Sequence, residues 1–353
     1  MSDFPSSVSF DTELLTELTE ASGVPGYEDP VREIVRRELE RSTDAVESDA
    51  MGNLIGTIEG ESEYSVLVAT HMDEIGFMVR HIDDEGFLAV DPLGGWDPRV
   101  LRAQRVRVHT DDGALAGIIG SVPPHTEDDP EATQDLSDVR IDLGLDGETV
   151  ESRVAVGDLV TMEQTTRAVG ELVTGKSIDN RVSVAAMLEA ARQLSEPSVT
   201  IHFVATTQEE VGLRGASTIG VDLDPDLAIA LDTTVANDIP GHEAADHVTE
   251  LGAGTAIKLK DSGVITNQKV NRRLRSVAEA ENIEFQHEIL PAGRTDTARL
   301  QRTNGATPAG AISVPTRYLH TVTESAHFDD IERTIALLRA FLETETGEFD
   351  YTL

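Results

Sequence analysis

The chain of 353 residues carries 28 basic and 65 acidic side chains, a formal net charge of −37, which should repel nucleic acid and anionic membranes. With zero cysteines it has no disulfide framework and no thiolate metal site, so any metal must be held by His, Asp and Glu. The length suggests about two domains, and no apolar run reaches the ~18 residues of a membrane span.

The opening segment MSDFPSSVSFDTELL has neither a positive n-region nor an apolar h-region, and reads as a helix start in an unexported, cytoplasmic protein. Residues 9–41 read as two amphipathic helices broken at GVPGYEDP, with Pro30 near the start of the second. YSVLVATHMDEIGFMV (64–79) contains a buried-type strand whose apolar run ends at His71. From 77 to 168 the texture changes to short alternating runs, FMVRHI, FLAV, RVRVHT and LAGIIGSV, separated by DDEG, LGGWD and TDDG turns. That is an all-β module. The acidic loop HTEDDPEATQD (125–135) reads as flexible and solvated.

LVTGKSIDNRVSVAAMLEAARQL (172–194) restores helical periodicity. Strands at SVTIHFVATT, DLAIALD (226–232), FQHEIL (285–290) and GAISVP (310–315) then alternate with helices over 268–282 and 329–344. The alternation predicts an α/β fold, a sheet covered by helices, formed by residues 1–76 and 169–353. The β-rich module of 77–168 is inserted into it.

The acids are scattered along the chain, and lysine occurs only at Lys176, Lys258, Lys260 and Lys269. An acidic, lysine-poor surface points to salt adaptation of the kind found in extreme halophiles.

Open α/β sheets place their sites outside the carboxyl ends of the strands. Five places put a His, Asp or Glu there: His71 after SVLVAT, Asp179 in GKSIDN, Glu209–Glu210 after FVATTQ, Asp232 after AIAL, and His320 in TRYLHT. A single strand-end Asp is usually a turn or cap, and a single His is more often hydrogen-bonded surface; convergence carries the inference. Two imidazoles and three carboxylates suit Zn²⁺ or a similar first-row ion. Paired divalent ions need a bridging carboxylate, lower the pKa of a shared water from about 15.7 towards about 7, and leave one more carboxylate to handle the proton. The double glutamate supplies both kinds: adjacent residues leaving a strand point to opposite sides, one to bind and one to face the water. In H-M-D, Asp73 lies two residues from His71, on one side of an extended segment, where it can orient the imidazole.

HMDEIGF (71–77), DPLGGWD (91–97), GKSIDNR (175–181), TTQEEVGLRGA (206–216), LDTT (231–234) and SVPTRYLHT (313–321) together resemble the M42 glutamyl-aminopeptidase family, the TET aminopeptidases. The resemblance covers essentially the whole chain. It implies a zinc-peptidase-like catalytic domain with a mixed sheet, and a β-barrel-like dimerisation domain at 77–168. It also implies two divalent ions per subunit, zinc with cobalt or manganese as alternatives. One ion would be held by His71, Asp179 and Asp232, the other by Asp179, Glu210 and His320. Glu209 would be the general base, Asp73 the partner behind His71, and Asp179–Asn180 a cis peptide. Short peptides would be the substrates, and six dimers would form a hollow tetrahedral dodecamer.

Two other readings compete: a glycosidase using the Glu209/Glu210 pair, and a non-catalytic peptide-binding scaffold. Carboxyl groups diverging from adjacent positions fit poorly around one sugar bond and leave the histidines idle. PAGRTDTA (291–298) stands where the family pattern has a GGTDA-like segment. Either Arg294 and Thr297 line the pocket for the substrate side chain, or Thr295 or Asp296 caps a helix; the cap is preferred. A neutral or broad side-chain preference is the expectation.

Overall fold

A computed structural model describes residues 4–126 and 135–353; most of the acidic loop at 125–135, and with it the expected flexibility, lies outside the described residues. Among these, eleven strands form one mixed sheet. Its middle is parallel, with Val199–Thr206, Ser62–His71, Leu227–Val235 and Ala309–Arg317 side by side in that order. All four are buried along nearly their whole length, as strands covered on both faces must be. Antiparallel strands complete the sheet on either side: Leu54–Ile58 and Ala45–Ser48 at one edge, Glu324–His327, Leu172–Gly175 and Arg167–Val169 at the other. Thr255–Lys260 and Phe285–Ile289 branch from Ala309–Arg317.

The two N-terminal helices form as the sequence predicts. Asp11 accepts from Leu14 N at 2.9 Å to cap Thr12–Glu20, and Pro30 sits in the first turn of Asp29–Ser42. LVTG (172–175) is a strand and not the first turn of the helix that follows it. Its burial alternates with period two and it pairs with Glu324–His327, but four residues are too few for periodicity to separate them from the helix. The helix Ile178–Gln193 packs against the sheet on one side and Thr12–Glu20, Asp29–Ser42 and Phe328–Glu343 on the other. Enclosed in that way it has no solvent face to keep polar, which is why its sequence is apolar or small nearly all round. Phe341 shows how much the layer holds: it is fully buried, and truncation to Ala at such a site costs about 3–5 kcal/mol.

Gly76–Ile82, Leu88–Leu93, Gln104–Thr110, Gly113–Ile119, Arg140–Asp142 and Leu159–Met162 close into a barrel with its own core, in which Phe77, Val79, Leu88, Val106 and Val160 are buried. Closure comes from antiparallel pairing of the first and last of these strands. Trp96 stacks on Phe77 at 5.2 Å between centroids and donates Nε1 to the Gly76 carbonyl at 3.1 Å. That contact anchors the loop DPLGGWD, which reaches from the barrel to the carboxyl ends of the parallel strands. Among the described residues no helix is long and apolar enough to cross a membrane.

Candidate metal centre and active site

The carboxyl ends of the parallel strands deliver the charged residues to one place. His71 is the last residue of Ser62–His71, and Asp232 lies in the second half of Leu227–Val235. Glu209 and Glu210 follow Thr206 by way of Gln208, whose φ of 55° turns the chain. The strand therefore ends before them, and alternation along a strand does not set their directions: both side chains line the same cleft. His320 arrives through a turn in which Tyr318 and His320 have φ of 61° and 59°. Asp179 begins the buried helix, and its bond to Asn180 is cis. Asn180 Nδ2 donates to Thr70 Oγ1 at 3.0 Å and to the Leu231 carbonyl at 3.1 Å, which pins the helix start between two strands.

Asp179 is the centre of the arrangement. Its Oδ1 lies 3.4 Å from His71 Nε2, and its Oδ2 lies 3.7 Å from His320 Nε2. His71 Nε2 is also 3.7 Å from Asp232 Oδ1, and His320 Nε2 is 3.6 Å from Glu210 Oε2. Each oxygen of one carboxylate thus faces a different imidazole–carboxylate pair. These separations are too long for hydrogen bonds, but they suit donor atoms gathered around an ion. His71, Asp179 and Glu210 bring ligand atoms within 4.8 Å of one another.

Three other groups hold this geometry. His71 Nδ1 donates to the Asp73 backbone carbonyl at 3.2 Å, with the Asp73 carboxylate at 3.6 Å. That carboxylate is engaged chiefly elsewhere, accepting from Glu209 N at 3.0 Å and Glu210 N at 3.1 Å. Asp73 thus positions the double glutamate as well as the histidine, which a spacing of two could not reveal. His320 Nδ1 donates to the Gly95 carbonyl at 2.7 Å. Both imidazoles therefore turn a free Nε2 towards the carboxylates. Gly95 allows that approach, since a Cβ there would sit 3.3 Å from His320 Nδ1, and Gly94 at φ +96° makes the preceding turn. Sequence reasoning missed Glu324, which accepts from Asp179 N at 2.9 Å and His320 N at 2.8 Å. Its signal was slight: one acid in the short run TVTESAH, four residues after His320.

Burial, and then the nearness of other carboxylates, hold Glu210 and Glu324 well above the usual carboxylate range. Burial also raises Glu209 well above it, against the opposing pull of His71, and raises Asp232. Asp179 falls below its ordinary value although burial opposes this, because His71 and His320 stabilise its charge. His71 is raised by Asp179, Asp232 and Asp73 against the effect of burial. The cluster is short of positive charge. Asp179 Oδ1 is buried with no hydrogen-bond partner, an orphan that a cation would satisfy. A donor set of two imidazoles and three carboxylates, with one carboxylate shared, fits a pair of divalent first-row ions.

These groups open into a cleft of about 800 Å³. Its far wall is the PAGRTDTA segment, where the preferred cap does not form. Asp296 makes no side-chain cap to Thr297–Leu300; it is buried, accepts from Thr206 Oγ1 at 2.5 Å, and is pushed up to about 7 by burial. Thr295 donates to Asp261 Oδ2 at 3.2 Å. Polar partners brought from distant parts of the chain, Thr206 and Asp261, engage these side chains in place of a local cap. Arg294 does line the cleft. Histidines outside the cluster have ordinary partners: His202 with Thr57 Oγ1 at 3.0 Å, His109 with Thr161 Oγ1 at 2.9 Å.

Comparison with known proteins gives a consistent picture. The profile of the M42 glutamyl aminopeptidase family matches residues 52–337. The chain is 35% identical over 350 residues to a lysyl aminopeptidase of Pyrococcus furiosus, covering 97% of this chain and 99% of that one. An aminopeptidase structure from the archaeon Desulfurococcus kamchatkensis superposes with a TM-score of 0.92 at 37% identity, over 95% of both chains. The Pyrococcus horikoshii TET1 peptidase, which can assemble into a tetrahedron or a large octahedral shell, superposes with a TM-score of 0.85 at 32% identity, over 94% of this chain and 99% of that one.

Proposed function

Since this chain belongs to the M42 glutamyl aminopeptidase family and is an aminopeptidase, we propose that it is a co-catalytic two-metal enzyme releasing N-terminal residues from short peptides. The observation that supports this most directly is the Asp179 carboxylate, with one oxygen towards His71 and the other towards His320. His71, Asp179 and Asp232 would hold one divalent ion, and Asp179, Glu210 and His320 the other. Aminopeptidases are among the enzymes in which such paired ions polarise the scissile carbonyl and lower the pKa of the attacking water.

The chain's own residues do the rest. Glu209 lines the cleft beside the cluster, and it accepts the proton of the attacking water. As the tetrahedral species collapses, the same carboxyl hands the proton to the departing amine, so the base is restored in one turnover. Asp73 fixes Glu209 through its backbone N–H, and the carboxyl enters the cleft already oriented. Gly95 and Glu324 keep His320 and Asp179 in place through the cycle.

The barrel would mediate two-fold contacts, and a hollow dodecamer of six dimers would admit only short peptides to the clefts. Incubation with aminoacyl-p-nitroanilides, carboxymethylcellulose and EDTA tests the central reading. Release of p-nitroaniline that EDTA abolishes is the expected result. Chelator-insensitive hydrolysis of the polysaccharide alone would favour a glycosidase, and no hydrolysis at all a scaffold.

A further inference from the structure

A second, far smaller cavity of about 10 Å³ shares Asp179 and Glu210 with the cleft. Glu74, Lys176, Ser177 and Glu324 line it with them. Glu324 already holds the N–H groups of Asp179 and His320. The other three have no part in the chemistry described so far, yet they form one contact set. Glu74 Oε2 accepts from Lys176 Nζ at 2.7 Å and from Ser177 Oγ at 2.5 Å. Its Oε1 accepts from Gly23 N at 3.0 Å, with Arg181 Nη2 at 3.7 Å. Lys176 and Ser177 stand just before Asp179 in the chain, and Arg181 just after it.

The frame behind that carboxylate is closed. Glu74 N donates to the Gly23 carbonyl at 2.9 Å, so the two residues grip each other in both directions. Arg181 donates from Nε to the Met72 carbonyl at 2.7 Å and from Nη1 to the Ala21 carbonyl at 3.1 Å. A Cβ on Gly23 would lie 2.8 Å from Arg181 Nη2, so glycine is what lets the chain pass this close. The side chains of Glu74, Lys176 and Arg181 are 4%, 6% and 0% exposed, so solvent screens these charges little. Ser177 needs such a frame. Its φ of 56° and ψ of 23° are left-handed, a conformation that a residue with a Cβ keeps only where its surroundings enforce it.

We propose that Glu74 is a positioning residue for the shared carboxylate: it fixes the turn at Lys176 and Ser177, and so keeps the two oxygens of Asp179 divided between His71 and His320. The inference rests on the two-metal reading and adds a residue to it. The adjacent acids Asp73 and Glu74 then have separate duties. Asp73 holds the N–H groups of Glu209 and Glu210, and Glu74 holds the segment that carries Asp179. Since Asp179 would serve both ions, loosening it weakens both together, whereas loss of Glu210 weakens one.

Zn²⁺ titrated into metal-stripped protein against a competing fluorescent chelator reads both affinities without turnover. The wild-type chain should take up two ions. Glu74→Gln keeps the shape but removes the charge that pairs with Lys176, and both affinities should fall by about 10- to 100-fold. An uncompensated buried charge also threatens the fold, so a second variant is needed. Ser177→Ala removes one hydroxyl, retains every charge, and should weaken both ions by about tenfold, the worth of a hydrogen bond to a charged group. The melting temperature of the stripped proteins reports the fold separately. Variants that melt early yet bind both ions with wild-type affinity give Glu74 a structural role alone and overturn the proposal, as does a loss confined to one ion. If Glu74→Gln does not fold, Ser177→Ala decides: a joint loss supports the proposal and unchanged affinities overturn it. A wild-type chain that takes up fewer than two ions removes the two-metal reading, and this proposal with it.

Discussion

The carboxylate of Asp73 holds the backbone of Glu209: the Glu209 N–H donates to Asp73 Oδ1 at 3.0 Å, and the next N–H donates to Oδ2 at 3.1 Å. Asp73 is fully buried, so these contacts are shielded from water, and the residue joins the His71 strand end to the double glutamate. Asp73→Asn keeps the shape but turns an NH₂ towards one of the two N–H groups, so one hydrogen bond must be lost. Activity or metal affinity should fall by about 10- to 100-fold, the usual cost of removing a group that orients metal-binding residues. Turnover and metal content of the purified variant measure this. A variant indistinguishable from wild type in both would show that the Glu209–Glu210 turn holds itself.

Removal of metal should leave a pH-dependent weakness. Burial pushes Asp296 up to about 7 and holds Glu209, Glu210 and Glu324 well above the carboxylate range. A raised acid keeps its proton in the native chain after the unfolded chain has lost it, so the native state binds more protons and stability falls as pH rises. For Asp296 that contribution is complete below the ordinary 3.8 and is lost as pH passes about 7. Chelated protein should therefore melt at a higher temperature at about pH 5 than at about pH 8, and returning Zn²⁺ at the higher pH should recover the difference. Asp330, pushed up to about 6 by burial and distant in role from the cleft, adds a slope of the same sign that metal should not remove. The decisive quantity is the difference between chelated and loaded protein; if it does not widen with pH, the cluster is not the source.

Salt should stabilise the protein. Of the four lysines, Lys176 is buried against Glu74 at 2.7 Å and Lys258 against Glu288 at 2.6 Å, so only Lys260 and Lys269 remain near the surface. Acids still outnumber bases on the outer surface, and their self-repulsion is strongest in dilute buffer. Melting temperature should climb as KCl is raised towards molar concentration. Equal stability in dilute buffer and in molar salt would end the salt-adaptation reading.

The sequence shows the ligand positions because they sit where apolar strand runs stop: His71, Asp232 and the Glu209–Glu210 pair each end a run that has to be buried. Asp179 and His320 likewise follow strands, Leu172–Gly175 and Ala309–Arg317, by a few residues, as the double glutamate follows Val199–Thr206. The supports were harder to see. Glu324 and the Gly95 carbonyl act across 145 and 225 residues of chain, and no local spacing reports a contact at that range. The same cause misled the cap expectation, because Asp296 is drawn to Thr206, 90 residues away, rather than to the helix it precedes. LVTG went unrecognised as a strand because its partner, Glu324–His327, is also distant and short.

Assembly gives a further test. A closed barrel has few free edges, so a contact between barrels would be made by their outer faces and loops. Sedimentation in high salt should show a particle of about twelve times the chain mass if the proposed tetrahedral assembly forms. Lowering the salt should release smaller species before activity towards single amino-acid substrates is lost, because acidic surfaces brought together need counterions most. Fully active protein that sediments only as monomer removes the assembly from the account.

The two adjacent glutamates should fail in different ways. Glu210 Oε2 lies 3.6 Å from His320 Nε2 and shares its surroundings with Asp179, whereas Glu209, lining the same cleft, has no ion-pair contact with either histidine among the described residues. Glu209→Gln keeps the shape and leaves the cluster intact but cannot accept a proton from water. Its activity should fall by roughly 10²- to 10⁴-fold, the usual worth of general acid–base catalysis, with metal content near that of wild type. Glu210→Gln replaces a carboxylate with a neutral amide, a poorer ligand, so one ion should be lost or weakly held. Excess Zn²⁺ or Co²⁺ should then restore part of the activity of Glu210→Gln and none of that of Glu209→Gln. Metal analysis of both variants, with rates measured before and after metal addition, decides between the roles. A metal-deficient, rescuable Glu209→Gln beside a metal-loaded, inactive Glu210→Gln would mean that the two are exchanged, and that the residue held most directly by Asp73 Oδ1 is the ligand.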